Sequence, residues 1–424
     1  MAVTVPVFAG RMIDSGGPPA LPRATDERLA PPPEVEPAEA EEDERADGSI
    51  TVTEPAEDGD DDNAPLVPEA PPRRWKFQLA FRTGVSHDDN IFLSTRQKVS
   101  ANIFEIGANF NLTWGDYIDK KESFLSIQYA PSYLFYGGHS GLNGFEQDGA
   151  LLSQWRIARL TLGLDARLTT LIGGDVDVGT RADRTLYHIA LTAKYDYSDR
   201  TSFETSIAQN SSSYRAYAGS VEWVNENWVD YRIAPKTRLG LGLALGELQP
   251  DGSDTQTYQQ ALLRLTNPAT GKLSFTASGG VEFRQFGGGE GSQTSPVFSL
   301  GASYRPFDGT EISLEASRRN YSSAAQIGQN YTATGISATL RQRLLTRFFA
   351  TFSGGYEDAK YEATETQAST SRHDQYVFVR PAVSFTLTRK INIELYYQFR
   401  RNTSTSALSS FESNIAGVQA TIGF

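Results

Sequence analysis

Histidine, carboxylate and thiol groups carry much of enzyme chemistry, and few of them stand together in this 424-residue sequence. It has four histidines and no cysteine, which excludes a thiol nucleophile and Cys-ligated zinc. His87, followed directly by Asp88 and Asp89, is the best local candidate for a general base. Asp88, Asp89 and Asn90 also offer oxygens to Ca²⁺, but they lack the spacing and the glycine of a calcium loop. Turn formation is the favoured interpretation, and we expect no catalytic residue, no metal site and no cofactor.

Glycine-rich stretches at 240–246 and 287–289 do not stand between a strand and a helix, so they do not form a phosphate-binding loop. They are typical of a flexible surface loop and of close strand packing. Nucleic-acid binding is disfavoured because the region from Trp75 onward is nearly neutral and has no basic stripe.

Three aromatic residues, Tyr376, Phe378 and Tyr396, fall on the polar side of an alternating pattern. Aromatic rings that face water are costly unless something stacks on them, and sugar rings do so. Packing against an inward-folded loop is the alternative, and it is favoured. Charged residues on the same polar side have mixed signs, so strong selectivity for small anions or cations is not indicated. The charged candidates for contact with a solute are Arg82, Glu105, Arg380, Glu394 and Arg400.

The elements that position these residues follow from a strict alternation of apolar and polar residues. One clear example runs from Phe104 to Trp114, and another runs from Ile391 to Phe399. Such alternation over 9–12 residues predicts strands with one apolar and one polar face. Strands in soluble proteins average about 5–6 residues, whereas strands that cross a bilayer in a tilted barrel need about 9–11. The sequence therefore predicts an all-β fold, a transmembrane antiparallel β-barrel.

Counting the alternating segments gives about eighteen strands. The links after even-numbered segments are short, and those after odd-numbered ones are usually longer, as at 171–184, 285–295 and 358–374. Short turns on one side and long loops on the other are typical of outer-membrane barrels with periplasmic termini. The apolar face is thinnest at 145–155, 221–233 and 331–341. The predicted segments are 75–85, 103–114, 123–136, 145–155, 160–170, 185–197, 202–210, 221–233, 238–247, 256–266, 272–284, 296–304, 310–318, 331–341, 347–357, 375–387, 391–401 and 412–424.

Residues 1–72 have a different composition from the rest of the chain. They hold 13 of the 20 prolines, and 18 acidic residues stand against 4 basic ones, which gives this segment a net charge of −14. Such a segment has too little apolar surface to offset the entropy lost on ordering. We expect a disordered, acidic, Pro-rich periplasmic tail before a barrel domain at 73–424. Residues 1–10 are either the remnant of a secretory signal or simply the end of the tail.

The final strand carries a further pattern. Phe424 is the last residue, and Ile422, Ala420 and Val418 share its face. This pattern looks like the C-terminal signal by which the barrel-assembly machinery recognises outer-membrane proteins.

Several segments resemble the β-barrel porin 2 family of outer-membrane proteins. The resemblance lies in GVSHDDNIF (Gly84–Phe92) and in strand–turn–strand units such as YDYSDRTSFETSI (Tyr195–Ile207) and LTRKINIELYYQFRRNTS (Leu387–Ser404). It covers about 75–424 and leaves the acidic tail outside. The resemblance implies an outer-membrane barrel of a Gram-negative bacterium that passes capsular polysaccharide or exopolysaccharide, working with a periplasmic polysaccharide-export protein. A general diffusion porin for small solutes is the alternative, and a surface-loop enzyme or adhesin is a weaker one.

Overall fold

A computed structural model describes residues 75–115, 122–270, 272–289, 291–364 and 371–424. The predicted tail at 1–72 and the candidate signal remnant at 1–10 lie outside the described residues. Among the residues described, no helix is long and apolar enough to cross a membrane.

The described chain forms one eighteen-stranded antiparallel sheet that closes on itself. Strands that are neighbours in sequence are neighbours in the sheet, and the first strand pairs with both the second and the last. In the closing pair, Phe81 lies opposite Ile422 and Val85 lies opposite Val418. Closure leaves no unpaired strand edge, which a spanning sheet requires because the hydrocarbon has no hydrogen-bonding groups. The predicted fold class and strand number are confirmed.

The two faces of the barrel differ as the alternation predicts. Large apolar side chains such as Leu241, Phe283 and Leu395 point outward and are exposed. Their neighbours in sequence point inward, and many of these are polar or charged, such as Glu282 and Arg284. The core of the molecule is therefore polar, and the apolar surface is on the outside, as a lipid environment requires.

The strands are 13 to 17 residues long, which is longer than most of the predicted segments. The long loops expected at 171–184 and 358–374 are wrong in extent, because hydrogen-bonded pairing continues beyond the apolar stretch. The segments with thin apolar faces, 145–155, 221–233 and 331–341, do form strands. The strands are β1 (Trp75–Asp88), β2 (Ala101–Gly115), β3 (Phe124–Tyr136), β4 (Gly144–Ile157), β5 (Leu160–Asp175), β6 (Thr180–Asp196), β7 (Thr201–Tyr214), β8 (Ser220–Ala234), β9 (Thr237–Pro250), β10 (Gln256–Thr270), β11 (Leu273–Gln285), β12 (Ser292–Tyr304), β13 (Thr310–Ser322), β14 (Gln329–Leu345), β15 (Phe348–Ala363), β16 (Arg372–Thr388), β17 (Ile391–Ser404) and β18 (Phe411–Gly423).

The barrel has two unlike ends. Trp75 and Phe424 lie at one end, here called the terminal end, together with two-residue turns such as the one between Ala234 and Thr237. The opposite end, here called the loop end, carries the connection from Asp88 to Ala101 and two short 3₁₀ turns, Ser140–Leu142 and Gly287–Gly289. The asymmetry of the connections is thus present, although it is smaller than the sequence predicts.

Candidate functional site

A densely packed polar cluster covers the inner wall formed by β7, β8 and β10. The Arg264 guanidinium donates to Glu204 at 3.0 Å and to Asp230 at 2.6 Å. All three side chains are almost fully buried, since none is more than 4% exposed. The guanidinium also lies 4.3 Å from the ring centroid of Trp228, whose indole N–H donates to Glu226. A charge buried this deeply is tolerated only when it is paired and hydrogen-bonded, so this cluster is a structural unit of the wall.

Glycines on β9 make room for this cluster. A Cβ at Gly242 would lie 2.6 Å from the ring of Trp228, and one at Gly246 would lie 2.0 Å from the ring of Tyr258. The two aromatic rings therefore lie flat against the backbone of β9. The sequence predicts close strand packing for the glycines at 240–246, and the structure shows which rings they accommodate.

A second cluster continues the same inner wall toward the loop end. Arg284 donates to Glu282 at 2.8 Å and stacks over Tyr258 at 4.5 Å. The Tyr258 hydroxyl donates to Glu222 at 2.8 Å, and Glu222 also forms a salt bridge with Arg319. These contacts join β8, β10, β11 and β13 across the barrel interior. The wall from β7 to β13, here called the packed wall, is therefore held by ion pairs between side chains that are largely buried.

The inner wall formed by β16, β17, β18, β1 and β2, here called the open wall, is less crowded. Arg380 donates to Glu394 at 2.7 Å, and Arg82 forms a salt bridge with Glu105 at 2.8 Å. The side chains of these two pairs are 12–23% exposed, so they remain accessible from the lumen. Tyr396 lies beside them, with the Arg380 guanidinium 4.7 Å from its ring centroid. Five of the charged and aromatic residues singled out from sequence thus line one face of the lumen.

The other predicted aromatics have a different setting. Tyr376 is 3% exposed and packs with Leu93, Val176 and Phe411, and Phe378 is partly buried against the same group. Leu93 and Val176 belong to connections at the loop end, so the structure places these two rings against inward-folded segments. That is the alternative given for them above, and their contact with sugars stays a prediction.

Arg400, also singled out from sequence, faces inward near the loop end. Its guanidinium donates to Ser413 at 3.0 Å and lies 3.6 Å from Asp88. Asp88 accepts a hydrogen bond from the backbone N–H of Asn90, and Asp89 accepts from Asn414. The His-Asp-Asp run therefore fastens the β1–β2 connection to β18.

The imidazole of His87 points elsewhere and lies 2.8 Å from the side-chain oxygen of Asn102. Within the described residues, no group of three or more His, Cys, Asp or Glu side chains is arranged to hold a metal ion.

Two hairpins bend into the lumen at the loop end and meet there. Residues 171–172 of β5 and 329–333 of β14 are buried on both faces, which shows that these hairpin tips leave the barrel wall. Their strands lie on opposite sides, since β5 and β13 are eight strands apart in the sheet order. Asp177 of the β5–β6 tip accepts hydrogen bonds from the Ser323 hydroxyl at 3.0 Å and from the Ala324 N–H at 2.7 Å. The sequence did not reveal this contact, because the residues are 146 positions apart or more.

Strand β16 holds the two joined hairpins, here called the crossing, in place. Arg372 of β16 donates to the backbone carbonyl oxygens of Val176 and Asp177 at 3.2 and 2.7 Å, and it is itself held by Asp374. The same guanidinium lies 4.4 Å from the ring centroid of Tyr361. Any passage at this end must run beside the joined hairpins and is narrower than the barrel itself.

The residues of the predicted assembly signal lie on the outer face of β18. Val418 and Ile422 are exposed, and Phe424 packs edge-on against Phe81 with ring centroids 5.7 Å apart. The Phe424 N–H donates to the carbonyl oxygen of Leu79 on β1. The last residue thus joins the barrel seam, while recognition by the assembly machinery stays a prediction.

Comparison with known proteins finds similarity in architecture alone. No family model matches the chain, and no curated protein matches it. Among solved structures, OccAB3 of Acinetobacter baumannii is 10% identical, with 82% of this chain and 99% of that chain covered and a TM-score of 0.44. OccK2 (OpdF) of Pseudomonas aeruginosa in complex with glucuronate is 11% identical, with 82% and 98% covered and a TM-score of 0.43. P. aeruginosa OpdK with vanillate is 11% identical, with 82% and 99% covered and a TM-score of 0.40.

The fold defines a closed transmembrane β-barrel of the outer-membrane kind, with a polar interior and an apolar exterior. This conclusion is coarser than the family resemblance drawn from the sequence. The specific resemblance to the β-barrel porin 2 family gains no support, since no family model matches.

Proposed function

We propose that this protein is an outer-membrane channel that admits small polar solutes. The observation that carries the proposal is the crossing of the lumen by two opposed hairpins, joined through Asp177, inside a barrel of eighteen strands. A barrel of this size leaves an aqueous path when unobstructed. The crossing narrows the path at the loop end, which favours small solutes over a polymer in transit.

The open wall supplies the polar groups that a solute would meet. Arg82, Glu105, Arg380 and Glu394 present both signs of charge, and Tyr396 presents a ring face. Such a surface can contact hydroxyl, carboxylate and ammonium groups without a strong preference for one sign. We place the terminal end in the periplasm and the joined hairpins at the cell surface, following the arrangement of outer-membrane barrels.

Export of a capsular polysaccharide or exopolysaccharide, with a periplasmic export protein as partner, is the function that the family resemblance implies, and it stays a prediction. Deleting the gene and measuring secreted polysaccharide tests it, because unchanged secretion would eliminate export.

Liposome swelling tests the proposed channel directly. Purified protein in liposomes should admit a monosaccharide rapidly and a long oligosaccharide slowly or not at all. Empty liposomes serve as the control. Equal rates for both sugars would contradict a narrow passage, and no swelling with either would contradict a channel.

A further inference from the structure

Four polar side chains form a patch on the outer surface of β7 and β8. Thr205, Gln209, Asn225 and Asn227 alternate with inward-facing residues, as the outward-facing Phe203 and Val229 do on the same strands. Thr205 lies opposite Asn227 in the sheet, and Asn225 lies opposite Ile207. The patch therefore faces the surroundings of the barrel.

The depth of this patch follows from two aromatic residues on β8. Trp223 and Tyr231 both face outward and stand on either side of Asn225 and Asn227. Eight residues of a tilted strand rise roughly 20 Å along the membrane normal, which is close to the height of the apolar band of such barrels. Asn227 is midway between the two aromatics, so it lies near the middle of the hydrocarbon layer.

The hydrogen bonds within the patch leave donors unused. The Thr205 hydroxyl donates to the Asn227 oxygen at 2.9 Å, the Asn227 amide donates to Asn225 at 2.7 Å, and the Asn225 amide donates to the Ser206 carbonyl at 2.9 Å. Each carboxamide has two N–H groups and uses one of them here. Lipid tails accept no hydrogen bonds, so the remaining N–H groups favour a protein partner at this depth.

A depression of about 590 Å³ lies next to the patch. Thr205 and Asn227 of the patch line this depression, together with apolar side chains such as Tyr195, Phe203 and Leu241. A lipid tail could fill this space but could not satisfy the amides. A protein surface that carries an amide and protruding apolar side chains could fill the depression and also form hydrogen bonds with the amides.

We propose that this face, from β6 to β9, is the surface through which two copies of the chain associate in the membrane. Copies in one membrane insert in the same orientation, so a two-fold axis along the membrane normal brings each residue opposite its counterpart at equal depth. Carboxamides both donate and accept, so the Asn225–Asn227 patch is complementary to itself. Exposed leucines beside it, Leu191 and Leu241, supply apolar contacts.

Disulfide crosslinking in native membranes tests the proposal, because the chain has no cysteine of its own. Val229→Cys places a thiol beside the patch, and Leu395→Cys places one on the outer face of β17, far around the barrel. Oxidation should give a covalent dimer of the full-length protein with the first variant and not with the second. No dimer with Val229→Cys, or equal dimer with both, would overturn the proposal.

A second set of variants distinguishes the contribution of the two amides to association from the contribution of the apolar surface around them. In the Val229→Cys background, Asn225→Leu with Asn227→Leu should reduce crosslinking roughly tenfold, because polar contacts between protein surfaces in lipid contribute about 1–2 kcal/mol. Thr83→Leu, an outward-facing exchange on β1, should leave crosslinking unchanged. The β-sheet signal in circular dichroism, which does not depend on channel activity, checks that each variant folds. Full crosslinking without the amides would show that the patch does not hold the dimer.

Discussion

The packed wall and the open wall of the barrel use the same residue types in opposite settings. On the packed wall the Arg264 side chain is 2% exposed and bonds to two carboxylates, whereas on the open wall Arg380 is 21% exposed and bonds to one. Burial makes the first arginine part of the architecture, and exposure leaves the second available to a passing solute. Charge type alone therefore does not distinguish buried structural residues from residues that are accessible from the lumen, and the degree of burial does.

Replacing the buried Arg264 should change the stability of the barrel more than any other substitution described below. Arg264→Met leaves Asp230 buried without Arg264 and leaves Glu204 with Lys194 alone, 3.7 Å away, which should lower the free energy of unfolding by about 3–5 kcal/mol. Urea unfolding in lipid vesicles, followed by tryptophan fluorescence, measures the loss.

The matched control for this change is Arg380→Met on the open wall. A partly exposed pair contributes about 0–1 kcal/mol, so this variant should unfold close to the native midpoint. Similar losses in both variants would mean that the two walls do not differ in the way described.

Removing the contact between the two hairpins should have the next largest effect. It should change the passage of ions and solutes and not the stability of the barrel. Asp177→Ala removes an acceptor for the Ser323 hydroxyl and the Ala324 N–H, and hydrogen bonds to a charged group are worth about 1.5–3 kcal/mol each. The hairpins should separate more often, so single-channel recordings should show larger or more frequent openings.

Asp251→Ala is the control for the hairpin variant. Asp251 also accepts a backbone N–H, from Gly219, but it joins neighbouring connections on one side of the barrel. Its conductance should match that of the native protein. If both variants conduct alike, the crossing does not limit passage.

The glycines of β9 give a smaller test of the packed wall. Gly242→Ala places a methyl group 2.6 Å from the Trp228 ring, and such overpacking costs about 1–3 kcal/mol. Gly301→Ala on β12 meets no atom within 4 Å and should change stability little. The difference in urea midpoint between the two variants measures how tightly the ring is held, and equal midpoints would argue against close packing there.

Much of the fold follows from the sequence because alternation is a local signal. The faces of Phe104–Trp114 and Ile391–Phe399 follow from neighbouring residues alone, and the same alternation predicts the number of strands. The extent of the strands was less predictable, because pairing beyond the membrane depends on hydrogen bonds and not on hydrophobicity. Residues 171–175 are a case where a Gly-containing stretch read as loop is the end of a strand.

The site was predictable only in part, for a related reason. Alternation places Arg82, Glu105, Arg380, Glu394 and Tyr396 on the inner face, and in the structure all five lie on that face, while their contact with a solute stays a prediction. It does not tell which inward residues are covered, since burial depends on contacts between segments distant in sequence. No local sequence pattern predicts the inward bend of the two hairpins.

Reversing one charge on the open wall should give the smallest effect and the most direct test of its role. Arg380→Glu replaces a cation beside Glu394 with a second carboxylate, so the lumen should favour cations more than in the native protein. The exchange changes the charge by two units, and each unit changes the energy of an ion about 4 Å away in water by about 1 kcal/mol before salt screens it. The permeability ratio should therefore change by up to roughly thirtyfold. Reversal potentials in a salt gradient measure this ratio.

Arg401→Glu provides the control for this reversal, because Arg401 lies on the next strand and on the outer face. Both variants change the net charge equally, so only a residue along the solute path should change selectivity. A shift with Arg380→Glu alone would place the path along the open wall. An unchanged ratio in both would mean that ions pass elsewhere in the lumen, and the assignment of the open wall as the solute-contacting side would then be wrong.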